Sequence, residues 1–149
     1  MGETWKRKKW VFGMVGVKPD ARARPILRLV DRRGRQELLP IILHHVKIGS
    51  TIVSDEWRPY RTLADFGYNH LTVNHSRWFV DPRTRAHTQH IERHWRTAKE
   101  RVGRQRGNRT SKLLSEHLCL VEWTEWLGLK HKDGPLGRLM HDISKCYRL

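Results

Sequence analysis

Apolar positions in this chain are spaced first for strands and later for helices. Trp10-Val11-Phe12-Gly13-Met14-Val15-Gly16-Val17 is continuously apolar and rich in β-formers, which predicts a buried strand. Lys18-Pro19-Asp20 supplies a turn, and Pro25-Ile26-Leu27-Arg28-Leu29-Val30 predicts a second strand pairing back as a hairpin. From Gln36 the period becomes helical: Leu38, Leu39, Ile41, Ile42 and Val46 share one face, and Gly49 is placed as a left-handed cap. Ser50-Thr51-Ile52-Val53-Ser54-Asp55-Glu56-Trp57 reads as a short buried strand closing on the carboxylate of Asp55. A short helix around Tyr60 to Phe66, ended by Gly67, precedes a further strand at His70-Leu71-Thr72-Val73-Asn74.

A polar loop over residues 75–86, with Asp81-Pro82 as its turn, leads into a helix from about Thr88 to Val102. Its stripe is Ile91, Trp95, Ala98 and Val102. Gly103 to Thr110 is a basic break. A helix from about Ser111 to Lys130 carries Leu114, Leu118, Val121 and Trp126, and Asp133-Gly134-Pro135 turns into a last helix ending near Tyr147. Two strands, a helix, a strand, a short helix, a strand and then helices predict one α/β domain over 1–149 with a helical C-terminal layer.

Charge adds what the pattern lacks. Thirty Lys and Arg against fifteen Asp and Glu give a net +15, which points to nucleic acid as the leading partner. Seven Trp argue for a packed core rather than a basic arm. Cys119 and Cys146 fall in apolar, helical settings and are expected to be reduced core thiols. No apolar run approaches the roughly 20 residues that span a bilayer, so no membrane partner is expected.

Two acids carry the candidate chemistry. Asp55 ends a strand, and Glu92 lies in the opening turns of a helix, in His87-Thr88-Gln89-His90-Ile91-Glu92-Arg93-His94-Trp95. A carboxylate at a strand end facing another on a helix is how metal-dependent phosphoryl-transfer enzymes hold Mg²⁺. By spacing alone, Glu92 pairs as readily with Arg96 one turn on. His87, His90 and His94 include an i, i+4 pair of the zinc type, but no Cys pair completes such a site. Hydrogen bonding or contact with a DNA backbone is the expectation for them.

Residues 83–112 hold ten Lys or Arg against Glu92 and Glu100. Arg93, Arg96, Lys99, Arg101, Arg104, Arg106 and Arg109 are therefore expected to contact phosphates. Lys6-Arg7-Lys8-Lys9 reads equally as a nuclear address or a charged turn. Trp57 and Trp78 could stack on extruded bases, although core packing is the expectation for each.

Several words, in order and at similar spacing, resemble the catalytic domain of insertion-sequence-type DDE transposases, the class related to eukaryotic Merlin transposons. They are Trp10-Val11-Phe12-Gly13, Leu38-Leu39-Pro40-Ile41-Ile42, Gly49-Ser50-Thr51-Ile52-Val53-Ser54-Asp55, Trp57-Arg58-Pro59-Tyr60, Gly67-Tyr68-Asn69-His70, Val73-Asn74-His75-Ser76, Phe79-Val80-Asp81-Pro82, His87-Thr88 and Ile91-Glu92-Arg93-His94-Trp95. The resemblance implies an RNase H-like mixed sheet with flanking helices. It makes Asp55 and Glu92 the second and third catalytic acids and metal ligands. It further implies Mg²⁺ or Mn²⁺, DNA partners at transposon ends and target, and a homo-oligomer as an open possibility. Location would be nuclear in a eukaryote and otherwise cytoplasmic.

One departure qualifies this. Where the family's first acid opens an Asp-Glu-Thr word, this chain has Gly2-Glu3-Thr4, so the first, central strand is expected to be largely missing. Glu3 is displaced by one residue, which turns its side chain to the opposite face. Asp31 matches a non-catalytic position. The expectation is a transposase-derived domain of impaired strand cleavage and transfer, the alternative a non-catalytic basic DNA-binding remnant or domesticated module. Loss of the strand would leave sheet edges unpaired and the fold poorly stable.

Overall fold

The four strands form near where the pattern places them: the second over the predicted residues, the first and third in shorter bounds, and the fourth one residue earlier. A computed structural model describes residues 9–17, 24–104 and 110–147. The chain is mixed α/β, with β1 (Trp10–Val15), β2 (Pro25–Val30), α1 (Arg35–His45), β3 (Thr51–Asp55) and β4 (Asn69–Val73) followed by α2 (Gln89–Arg104), α3 (Ser111–Trp123) and α4 (Gly134–Tyr147). The expected turn at Lys18-Pro19-Asp20, the segment 2–8 before β1 and most of the break after α2 lie outside the described residues. β1 pairs with β2, and β3 with β4, as two two-stranded sheets. The chain divides into two compact units, one of residues up to Phe12 with Val30–Glu92, the other of Gly13–Leu29 with Arg93 onward.

In the first unit, β3 and β4 run parallel, with Thr51 opposite Asn69 and Asp55 opposite Val73. A parallel pair needs a crossover, and residues 56–68 provide it through two 3₁₀ turns, Arg58–Tyr60 and Ala64–Phe66. Gly67 closes the crossover in the left-handed region (φ +81°), as expected of a glycine there. Gly49 is also left-handed (φ +85°) but does not cap α1, which ends at His45, where the Val46 N–H donates to Ile42 O. Its N–H instead donates to Gly67 O at 2.9 Å, and the Asn69 N–H donates to Ser50 O at 3.0 Å. Those two bonds set the register at the head of both strands.

β3 is not the buried strand its apolar run predicts. Thr51, Val53 and Asp55 are exposed and Ile52 and Ser54 half-buried. The alternation of a half-covered strand explains this and leaves the Asp55 carboxylate facing out. The buried residues of this unit include Leu38 and Ile42, one turn apart on α1, with Leu63, Tyr68 and Val73. Tyr68 donates its hydroxyl hydrogen to Val46 O at 2.8 Å, which satisfies the polar tip of a buried ring.

In the second unit the buried residues include Ile26, Leu27, Ala98, Leu118 and Val121. The α2 stripe is as expected, with Ala98 buried and Ile91, Trp95 and Val102 half-buried. Gly13 admits the Trp95 ring against β1; a Cβ there would lie 2.5 Å from ring atom Cζ2. Thr110 caps α3, its side chain accepting the Leu113 N–H at 3.1 Å. The long helix expected to reach Lys130 widens into a π turn at Thr124–Gly128, against which α3 and α4 both pack.

Glu122 on α3 is buried and accepts the Leu27 N–H of β2. It also accepts from the Arg28 guanidinium at 2.5 Å, with Arg24 at 4.0 Å. Cys119 and Cys146 are exposed, contrary to the expectation of core thiols: Cys119 lies off the buried face of α3, and α4, which carries Cys146, has no buried residue.

Candidate functional site

Asp55 and Glu92 both belong to the first unit, and each is oriented by its own neighbourhood. Asp55 ends β3 just as the chain turns into the Arg58–Tyr60 helix. Its Oδ1 accepts the Trp57 N–H at 3.2 Å, an Asx-type turn that holds carboxylate and backbone together. The side chain lines a cavity of about 120 Å³ shared with Trp10, Phe12, Arg33, Trp57 and Tyr60. Burial, and secondly the charge of Asp55, push the Tyr60 phenol up to about 12, while Arg33 acts in the opposite sense. One residue before Asp55, Ser54 Oγ lies 2.8 Å from His70 Nε2, and burial lowers the His70 pKa.

Glu92 is delivered by a loop that folds on its own polar groups. The Asp81 carboxylate accepts the N–H groups of Arg83 and Thr84 and the Thr84 hydroxyl, at 2.8–3.0 Å. The Thr84 backbone N–H is the largest cause that draws the Asp81 pKa down. Arg85 then turns through φ +60°. Buried Thr88 precedes α2, and its hydroxyl donates to Glu92 Oε1 at 2.8 Å and lies 3.2 Å from His75 Nε2. His75 Nδ1 is 3.9 Å from the same Glu92 oxygen. Glu92 thus meets Thr88 and His75 rather than the Arg96 that helix spacing offers.

Both acids are exposed, and their oxygens are hard donors of the kind Mg²⁺ takes. Among the described residues, no three or more His, Cys, Asp or Glu side chains gather closely enough to hold a metal. The donor chemistry of the two carboxylates fits a divalent cation, without a complete cage around it.

Of the cations expected to meet DNA, Arg93, Arg96, Lys99 and Arg104 are exposed on α2. Arg101 is turned to an ion pair with Glu125 at 3.1 Å, and Arg106 and Arg109 lie outside the described residues. Seen down the helix, Glu92, Arg96 and Lys99 share one flank, and Arg93 and Arg104 lie opposite the apolar stripe. The His87 and His90 rings stand 5.0 Å apart, and His87 Nδ1 is buried without a hydrogen-bond partner.

A model of the ISXO2-like transposase domain matches residues 2–108. The chain belongs to that family. No curated protein and no solved structure matches it. In this transposase domain the matched span holds β1 to α2 with both acids and the loop that orients Glu92, while α3 and α4 lie beyond it. The family implies DNA as the partner, and no helix among the described residues is long and apolar enough to cross a membrane.

Sequence reading missed the arginines before α1. Trp10 and Trp57 are half-exposed rather than core, and the Arg33 guanidinium lies over both rings, 3.8 and 4.5 Å from their centroids. Trp78 is likewise half-exposed. The signal available was the run Asp31-Arg32-Arg33-Gly34-Arg35 beside Trp57-Arg58, too short to stand out against so basic a chain.

Proposed function

We propose that this chain is the DNA-processing domain of an insertion-sequence-type transposase, built on an RNase H-like plan and kin to the Merlin class. In it Asp55 and Glu92 act as second and third acids of the metal site. The observation that carries this reading is their placement within the family's span. Asp55 ends a strand of a parallel pair, and Glu92 stands in the first turn of α2 with its oxygen fixed by Thr88. A Mg²⁺ or Mn²⁺ bound there would supply an activated water or 3′-hydroxyl and steady the leaving oxygen.

This chain's own residues do the rest. The Trp57 N–H aims Asp55, while Thr88 and His75 hold Glu92. The exposed cations of α2 draw in phosphates. Gly2 stands where the family's first acid is expected, so cleavage and strand transfer are slow in this chain.

A second reading, a basic DNA-binding module without catalysis, is favoured by that same Gly2 together with the exposed α2 cations. Metal-dependent nicking of plasmid DNA by the chain, beside Asp55→Ala and Glu92→Ala, separates the two. Nicking lost in both variants supports the enzyme; salt-sensitive binding with no nicking supports the module.

A further inference from the structure

The first unit carries a basic surface of its own. Arg32, Arg33, Arg35 and Arg58 line an open groove of about 1070 Å³ together with Trp10 and Trp57. The groove and the small Asp55 cavity share Trp10, Arg33 and Trp57. Its one lining acid, Asp31, is paired with Lys9. The lining therefore carries an uncompensated positive charge beside two half-exposed indoles.

The indoles are held in place before any ligand arrives. Arg33 stacks on both rings, Trp57 Nε1 donates to Arg33 O at 3.2 Å, and the Trp57 N–H is held by Asp55. Fixed aromatic faces bordered by arginines are what an unpaired nucleotide needs, its base stacking on a ring and its phosphates meeting guanidinium groups. A duplex keeps its base faces stacked and cannot use them. A small metabolite would call for enclosure, and this groove is open to solvent.

We propose that this groove binds a single-stranded segment of DNA, with a base against Trp57 and its phosphates on Arg58 and the Arg32–Arg35 segment, so that the unpaired strand lies beside Asp55. The significance of that placement rests on the transposase reading; the binding itself does not.

The test measures binding of a labelled oligo-dT and of a duplex of equal length to the full chain, with tryptophan fluorescence as the stacking signal. Trp57→Ala is expected to weaken single-strand binding about 5- to 150-fold, the range of base–aromatic stacking, with duplex binding changed less than about twofold. Trp57→Phe should keep most of the affinity and lose most of the quenching. Arg58→Ala should lower the salt dependence on the single strand by about one phosphate contact. Trp57→Phe and Arg58→Ala keep the test valid if Trp57→Ala does not fold.

Single-strand binding unchanged in all three variants overturns the inference. If Arg93→Ala with Arg96→Ala abolishes all DNA binding while the groove variants bind normally, the groove fails and the transposase reading stands. If the parent chain binds neither DNA form, both fail.

Discussion

Removing the Glu122 carboxylate tests how β2 is held. Glu122 is 5% exposed, and its oxygens take the Leu27 N–H and the Arg28 guanidinium. In Glu122→Ala the Leu27 N–H loses its partner in a buried setting, which costs roughly 1–3 kcal/mol. The charge-assisted bond to Arg28 adds roughly 1.5–3 kcal/mol, about halved because water can reach that guanidinium. The total is about 3 kcal/mol, at the low end of the range for breaking a buried pair. For a chain of this size that is a fall in Tm of about 6–12 °C. Glu122→Gln keeps an acceptor for the Leu27 N–H and loses only the charge, so about 1 kcal/mol is expected. Urea and thermal melts of the three proteins give the comparison. Glu122→Ala within about 0.5 kcal/mol of the parent, the ordinary scatter of surface changes, would refute the anchoring role.

Two other perturbations probe the packing and the site. Gly13→Ala sets a Cβ 2.5 Å from the Trp95 ring and should cost about 1–3 kcal/mol in the same melts, with Trp95→Phe in that background restoring part of it; an unchanged melt would show that the ring does not pack there. Tyr60, raised from 10.0 to about 12, keeps its proton longer in the folded state, so its stabilising effect is complete below pH 10 and is lost as pH rises through about 12. The amount is roughly 2–3 kcal/mol. Phenolate absorbance should show one late-titrating tyrosine whose midpoint falls in Asp55→Asn, by less than the whole shift because burial is the larger cause. A midpoint indifferent to Asp55→Asn would mean that the carboxylate does not face that ring.

Local features were legible in the sequence and distant ones were not. The α2 stripe and the Gly67 turn follow from spacing and from what glycine alone tolerates. Gly49 is left-handed as expected, yet its partner is Gly67, eighteen residues away, which no helix-cap rule anticipates. The exposure of alternate β3 residues depends on which neighbours cover the strand, and a run of apolar letters does not state that. Glu122 did carry a signal, an acid one turn beyond Leu118 on an apolar stripe, but its partners come from β2. Asp55 and Glu92 were picked out by the words around them. The hydrogen bonds that aim them, from Trp57 and Thr88, appear only in the folded chain.

The central claim is that Asp55 and Glu92 form a metal-dependent DNA-cleaving pair in this transposase domain. The most direct measurement is nicking of supercoiled plasmid in Mg²⁺ or Mn²⁺ by the chain, Asp55→Ala and Glu92→Ala, with DNA binding followed in parallel. The account predicts slow, metal-dependent nicking that disappears in both variants while salt-sensitive binding persists. Metal-dependent nicking that survives either substitution would contradict it.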